Sequence, residues 1–353
     1  MSAPGYIILL GSGERSPHIR TVYQWLFEQL GTPIHVAILE TPAGFELNSD
    51  YVAGRIGEYI REHLPNYDPQ ITVIPARKRN TAYSPDDPTI VHPMYDANVL
   101  FIGPGSPSYA VRQLQNSLAW QVMLARHHLG AATIIASAAT LAVGIEALPI
   151  YEIHKVGEDL HWKAGLNLFG PYGLSLVFIP HWNNQEGGAV LDTSRCYMGL
   201  SRYEQLAGML PSDRTIVGID ESTALIVDPA RQVCQVMGMG GVTIIRQGNE
   251  QRYETGEDFG IAELGPFQPP DSETGLPAAI LAQARAALDE AARRAAEKPT
   301  PTSAIVALVE QREKARQRQD WAIADALRDQ IEARGWQVMD TPDGPILELL
   351  QER

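Results

Sequence analysis

An α/β doubly wound fold, with a mostly parallel sheet and helices on both faces, is the architecture this sequence predicts. Two observations carry the expectation. Through the first 250 residues, short apolar runs alternate with helix-length amphipathic segments. The runs are continuous, rich in β-branched residues and bounded by glycine, as in YIILLG (6–11) and NVLFIG (98–103). Strands buried on both faces read this way, because neither side of the pleat meets water. Strands separated by helices then pair in parallel.

The elements follow in order. YIILLG is strand-like, and the segment 19–30 carries apolar residues at helical spacing. PIHVAILE (33–40) reads as a strand, 51–64 as a helix, and ITVIPA (71–76) and NVLFIG as strands. A helical stretch over 109–129 leads to the strand ATIIA (132–136). LSLVFIPH (174–181), RTIVGIDE (214–221), TALIVD (223–228) and VTIIRQ (242–247) are separated by short turns, which predict an antiparallel extension at one edge. Residues 1–252 are thus expected to form the α/β domain. Residues 253–301 combine an acidic, Gly/Pro-rich stretch without periodicity, an alanine-rich helix (277–297) and a linker-like KPTPTS (298–303). Residues 302–353 read as a small unit. One helix carries Ile305, Leu308 and Val309, and a second, capped by Asp320, carries Ile323, Leu327 and Ile331 and stops at Gly335. The turn Pro342-Asp343-Gly344 then predicts a β-hairpin.

At 353 residues, with 44% hydrophobic and 20% charged residues, the chain can bury a sizeable core. No apolar run approaches the roughly 20 residues that span a bilayer, and MSAPGYIILLGSG lacks the basic start of a signal peptide. Cys196 and Cys234 have no metal-site spacing, so a reduced, cytoplasmic setting without metal is expected. A net charge of −14 disfavours general binding of nucleic acid by the whole surface. The turn Gly11–Glu14 lacks both the dinucleotide glycine pattern and a P-loop lysine. It reads as a plain strand-to-helix turn, whose place at the carboxyl edge brings Ser12 and Glu14 into consideration. No cofactor is expected.

The stretch AATIIASAATLAVG (131–144) sets one hydroxyl, Ser137, between a buried strand and a helix and surrounds it with alanine. A nucleophile at a strand-to-helix turn needs small neighbours, because the turn is tight. A serine capping the following helix would look the same. A nucleophilic serine needs a histidine, and that histidine needs a carboxylate. In an open α/β sheet these come from the carboxyl ends of strands. LSLVFIPHW delivers His181 there, and RTIVGIDES delivers Asp220 and Glu221. His18, His63, His127 and His128 fall in helical segments, where packing or surface roles are usual; His154 and His161 are the alternatives to His181.

The order Ser137, His181, Glu221, with NVLFIGPGSPSYAVRQL upstream and IPHWNNQEGG around the histidine, resembles the peptidase E and cyanophycinase family, of the class I glutamine-amidotransferase-like fold. The resemblance spans about residues 5–250. It implies a serine hydrolase of amide bonds in a peptide or isopeptide substrate. Ser137 would be the nucleophile, His181 the general base and Glu221 the orienting acid. Glu152 is the second candidate, for the acid or for substrate recognition, and Glu186 the third. The family's elbow reads G-x-S-A-G where this chain has Ala-Ser-Ala-Ala, which predicts a less sharp turn. In Gly103-Pro104-Gly105-Ser106 the proline has no N–H, so Gly105 and Ala138 are the candidate oxyanion donors. No cysteine stands at the elbow, so glutamine-dependent ammonia transfer is not expected, and Cys196 reads as a buried structural thiol.

The tail resembles the C-terminal appendage of cysteinyl-tRNA synthetases. It carries R-x-x-A-R at 312–316, Asp320-Trp321, Ala324-Asp325-x-x-Arg328-Asp329, Gly335 and Asp340-Thr341-x-x-Gly344. The synthetase's catalytic motifs and zinc ligands are missing, so tRNA charging is not expected. Arg312, Lys314, Arg316 and Arg318 form a candidate tRNA contact, or a solvated face balanced by Asp320, Asp325 and Asp329. Two readings stand beside the hydrolase: a catalytically silent ligand-binding or scaffolding member of the fold, and an RNA-associated accessory protein acting through its tail.

Overall fold

The computed structural model describes residues 3–270, 275–296, 301–341 and 344–350. In chain order, β1 (Ile7–Leu10), α1 (Pro17–Leu30), β2 (His35–Leu39), α2 (Ser49–His63), β3 (Gln70–Ile74), the single turn α3 (Pro88–Val91), β4 (Val99–Ile102), α4 (Pro107–Leu114), α5 (Leu118–His128) and β5 (Ala132–Ala136) build the parallel half of the main sheet. The strands lie in the order β3-β2-β4-β5-β1, all parallel. The continuous apolar runs are explained by burial on both faces. Ile7, Leu9, Leu100 and Ile102 enter one core cluster, while Ile8, Leu10, Val99 and Phe101 enter another on the opposite face. The single helical stretch expected over 109–129 is two helices. Asn116 turns left-handed (φ 58°), and Ser117 caps α5 by accepting from the Trp120 N–H.

The chain continues through α6 (Ala138–Ala142), the short antiparallel pair β6 (Glu146–Ala147) and β7 (Lys163–Ala164), then β8 (Leu176–Ile179), α7 (Gly199–Gly208) and β9 (Thr215–Ile219). Five more strands follow: β10 (Thr223–Asp228), β11 (Val233–Gly238), β12 (Gly241–Arg246), β13 (Asn249–Glu254) and β14 (Asp258–Gly260). The antiparallel extension at one edge is only part of the outcome. β10, β11 and β14 extend the main sheet beyond β1, whereas β8, β9, β12 and β13 form a second sheet in which β8 and β9 are parallel. The reason lies in burial. One face of the second sheet (Leu176, Phe178, Val217) joins the main core, and the other (Val177, Ile179, Ile216) packs on Trp182 and Tyr203.

Two compact units result, Met1–Asp289 and Glu290–Arg353. The boundary expected at 252 therefore moves. Tyr253 stacks on Phe259 with ring centroids 4.1 Å apart, and Phe259, Ile261, Leu264, Ile280, Leu281 and Ala284 are buried in the main core. What composition marks as linker is largely core-bearing, including the start of α8 (Ala278–Ala296). Residues 298–300 of the expected linker lie outside the described residues.

The second unit contains α9 (Ser303–Gln317), α10 (Trp321–Glu332) and the antiparallel pair β15 (Trp336–Thr341) and β16 (Gly344–Leu349). Asp320 caps α10, accepting from the Ile323 N–H at 3.4 Å. Ile305, Val309, Ile331, Trp336 and Val338 form its core. Of the expected apolar stripe, Leu327 and Ile331 are buried and Ile323 is exposed; Ala324 is buried in its place. The hairpin turn at Pro342-Asp343 lies outside the described residues. No helix among the described residues is long and apolar enough to cross a membrane.

Candidate active site

Ser137 sits between β5 and α6 with φ 55° and ψ −112°. A non-glycine residue in this region stores strain that the surroundings must hold. They do so from both sides. The Ser137 N–H donates to Leu10 O at 3.2 Å, and the Thr140 hydroxyl bonds Leu10 O at 2.9 Å and Ile135 O at 3.0 Å. The turn is sharp after all, because the positive φ falls on Ser137 itself and its alanine neighbours need only be small. Ser137 makes no side-chain cap of α6. Its hydroxyl instead lies 3.1 Å from His181 Nε2.

His181 follows β8, and Glu221 follows β9, so both come from the second sheet while Ser137 comes from the main one. Close backbone approach joins the two. His181 N–H donates to Gly11 O at 3.2 Å, and Trp182 N–H to Ile219 O at 3.1 Å. A Cβ on Gly11 would stand 2.0 Å from Asp220 O, so only glycine ends β1 here. Ser12 accepts from the Ser222 N–H at 3.2 Å and thus steadies the turn that carries Glu221. It does not line the cavity, and neither does Glu14.

His181 Nδ1 lies 2.7 Å from Glu221 Oε1, and Asn184 Nδ2 donates to the same oxygen at 2.8 Å. The hydrogen bond from His181 holds the Glu221 carboxyl below its ordinary range; burial opposes this, and Asn184 adds to it. An ionised carboxylate accepts only. Nδ1 must then carry the proton, which leaves the Nε2 lone pair facing the serine hydroxyl. Asp220, the adjacent candidate, is 2% exposed and turned away, bonded to Arg252 at 2.6 Å and to the Gly241 N–H at 3.0 Å. Asn183 Oδ1 accepts from the Glu221 N–H at 2.8 Å. Sequence reasoning missed both asparagines, although the Asn-Asn pair directly after His181-Trp182 is the signal for them.

A cavity of about 340 Å³ opens over Ser137, lined by Gly105, Ala138, His181, His154, Glu186 and Cys196 among others. The candidate oxyanion donors Gly105 and Ala138 both line it. Gly105 has φ 147°, and a Cβ there would stand 2.1 Å from the Pro42 carbonyl, so its glycine is sterically required. Glu152, the second candidate acid, does not bond His181: it pairs with Lys163 at 2.9 Å. Burial disfavours its charge, yet the hydrogen bond from Lys163, with the nearby Ser108 hydroxyl, outweighs that and keeps the carboxyl below its usual range. Glu186 lines the cavity but does not bond His181. His154 lines it too, its ring 5.6 Å from Tyr197; His161 does not. Cys196 is buried in the floor, and burial, then the nearby Glu221 charge, push its thiol up to about 12. It stays a thiol at neutral pH. His127 and His128 are buried, in keeping with packing roles. Among the described residues no group of three or more His, Cys, Asp or Glu is arranged to hold a metal.

In the second unit, Arg312 does not face solvent. Its side chain is 1% exposed and forms a two-pronged pair with Asp340 at 2.8 and 2.9 Å. Arg316 joins Asp340 at 2.6 Å. The ion-pair partners are Asp340 and Glu313; of the expected Asp320, Asp325 and Asp329, Asp325 acts on Arg312 through its charge and Asp320 caps α10.

Comparison with known proteins gives different likenesses for the two units. A peptidase from an acI-B1 Actinobacterium superposes with a TM-score of 0.58 at 22% identity, covering 73% of this chain and 97% of that one. The first unit therefore has a peptidase's fold. A putative peptidase E protein from Listeria monocytogenes EGD-e gives a TM-score of 0.43 at 14% identity, covering 71% and 99%. Residues 299–344 match the family described as the cysteinyl-tRNA ligase anticodon binding domain. A cysteine–tRNA ligase of Methanosarcina mazei is 44% identical over 48 residues, 14% of this chain. The chain spans about a tenth of that ligase's length. The tail is thus similar to one small domain of such enzymes.

Proposed function

We propose that the protein is a serine-dependent hydrolase of peptide or isopeptide amide bonds. The observation that carries this reading is the continuous line Ser137 Oγ to His181 Nε2 (3.1 Å) and His181 Nδ1 to Glu221 Oε1 (2.7 Å), at the floor of a cavity. In the reaction, Ser137 Oγ attacks the amide carbon while its proton passes to His181 Nε2. The oxyanion accepts hydrogen bonds from the N–H groups of Gly105 and Ala138. His181 returns the proton to the leaving nitrogen as the C–N bond breaks, giving a seryl ester and a free amine. Water, deprotonated by the same histidine, then cleaves the ester and restores Ser137. Glu221 stays ionised throughout and stabilises the imidazolium.

The test is release of free amine from a panel of acidic dipeptides and isopeptides. Wild type turns over at least one of them, and Ser137→Ala and His181→Ala turn over none. Amine release that persists in Ser137→Ala would assign the chemistry to another group. The silent-member reading expects ligand binding in the same cavity with no turnover.

The match of 299–344 to an anticodon binding domain favours a second role, contact with a tRNA through the tail. With Arg312 buried, Lys314, Arg318 and the half-exposed Arg316 are its candidate phosphate contacts. Retention of tRNA that weakens with salt, and disappears when residues 302–353 are removed, supports it; salt-independent retention opposes it.

A further inference from the structure

The space beside Ser137 continues past Tyr151. Tyr151 and Lys155 line both the cavity over Ser137 and a second hollow of about 480 Å³. The second hollow is largely apolar, with Phe45, Tyr109, Tyr151 and Val156 in its lining. Phe45, Tyr151 and Val156 are 50%, 41% and 74% exposed. Exposed apolar side chains gathered beside a reactive centre mark a binding site more often than a packing accident. Two cations border the group. The Arg112 guanidinium lies 5.1 Å from the Tyr109 ring centroid, and Lys155 stands at the junction of the two hollows. Neither forms an ion pair among the described residues, and two carboxylates, Glu46 and the Lys163-paired Glu152, line the same hollow, so its charge is balanced and its apolar surface is the distinguishing feature.

One element links this hollow to the chemistry. Gly105, the candidate oxyanion donor, is followed at once by Ser106, which caps α4, and α4 carries Tyr109 and Arg112. The helical turn Glu152–Val156 supplies the other wall. A carbonyl held at Gly105 therefore has an aromatic surface within one side chain's reach on the α4 side. Resting on the amide-hydrolase reading of Ser137, we infer that this hollow is the subsite for an aromatic or large apolar side chain flanking the scissile amide. The substrate class is short peptides with Phe, Tyr, Trp or Leu beside the cleaved bond. The side chain belongs either to the acyl part or to the leaving amine.

The test uses di- and tripeptides with Gly, Leu or Phe on each side of the bond in turn, which separates the two cases. On one side, kcat/KM for Phe exceeds that for Gly by about 10- to 100-fold. Phe45→Ala and Tyr151→Ala each bring that ratio toward one. Calorimetry of the same peptides with Ser137→Ala reads binding without chemistry. Turnover with Phe and Gly within about twofold on both sides overturns the subsite and leaves the hydrolase reading standing. Absent turnover, with Phe peptides bound about tenfold tighter than Gly peptides in a Phe45-dependent way, supports the subsite and removes the hydrolase reading. Neither turnover nor binding overturns the subsite.

Discussion

Replacing Gly105 by alanine isolates the contribution of one backbone N–H. The added Cβ would stand 2.1 Å from the carbonyl carbon and oxygen of Pro42 and 2.5 Å from the Ala43 nitrogen, at a φ of 147°. These are backbone atoms of the single turn Thr41–Ala43, so they cannot swing aside as a side chain can. Ordinary contact begins at 3.4 Å, so the loop must withdraw by about 3.4 − 2.1 = 1.3 Å. A donor at about 2.9 Å from an oxyanion would then lie beyond 4 Å, outside hydrogen-bond range. Loss of one such donor lowers the rate about 10²- to 10³-fold, or about 3–4 kcal/mol. The assay is the second-order rate of fluorophosphonate labelling at Ser137, which needs no substrate, alongside kcat on any peptide that is turned over. Gly54→Ala is the control, since nothing lies within 4 Å of its Cβ in α2. It is expected to stabilise by about 0.5–1 kcal/mol without changing the rate. Labelling of folded Gly105→Ala within about threefold of wild type would refute the role given to this N–H.

Three further outcomes are expected. Glu221→Gln keeps the shape but turns an amide N–H toward His181 Nδ1, which favours the wrong tautomer; kcat falls about 10³- to 10⁴-fold, and a loss under tenfold contradicts the pairing. Burial, then the neighbouring His128, lowers His127 from 6.5 to about 3, and burial lowers His128 too. The unfolded chain then binds protons that the folded chain refuses, so stability falls as pH drops from about 6.5 toward 3. Between pH 7 and 5 His127 alone accounts for about 2 kcal/mol. Urea midpoints of His127→Gln should therefore depend less steeply on pH than those of wild type, and equal slopes contradict the assignment. Asp340→Ala leaves Arg312 buried without its two-pronged partner, at a cost of about 3 kcal/mol. Limited proteolysis within 301–350 should accelerate, and unchanged protection would mean that Glu313 suffices.

Much of the α/β architecture is legible in the sequence, because strands buried on both faces leave long apolar runs that helices interrupt. Ser137 and His181 stand out as candidates because each ends such a run at a β-strand's carboxyl edge. Four features are not legible, each for its own reason. β14 is only Asp-Phe-Gly inside a Gly/Pro-rich stretch, and β11 (VCQVMG) buries alternate positions without alternating polar and apolar residue types. The split into two sheets depends on which face of β8 and β9 meets the main core, a long-range fact that short turns do not encode. Asp220 and Glu221 are adjacent carboxylates at the end of one strand. Only the register of β9 against β12, which turns Asp220 toward Gly241 and Arg252, leaves Glu221 to His181. In the tail, Arg312 reads as one of four basic residues on a helix, whereas Asp340, 28 residues on, draws it inside.

The most direct test of the central claim is the mass of the purified protein after reaction with a fluorophosphonate probe, with the adduct located by peptide mapping. The geometry predicts one adduct per chain, on Ser137, absent from Ser137→Ala and slowed at least a hundredfold in His181→Ala. No adduct on wild type with a small probe, or an adduct that maps to another serine, would contradict an activated Ser137.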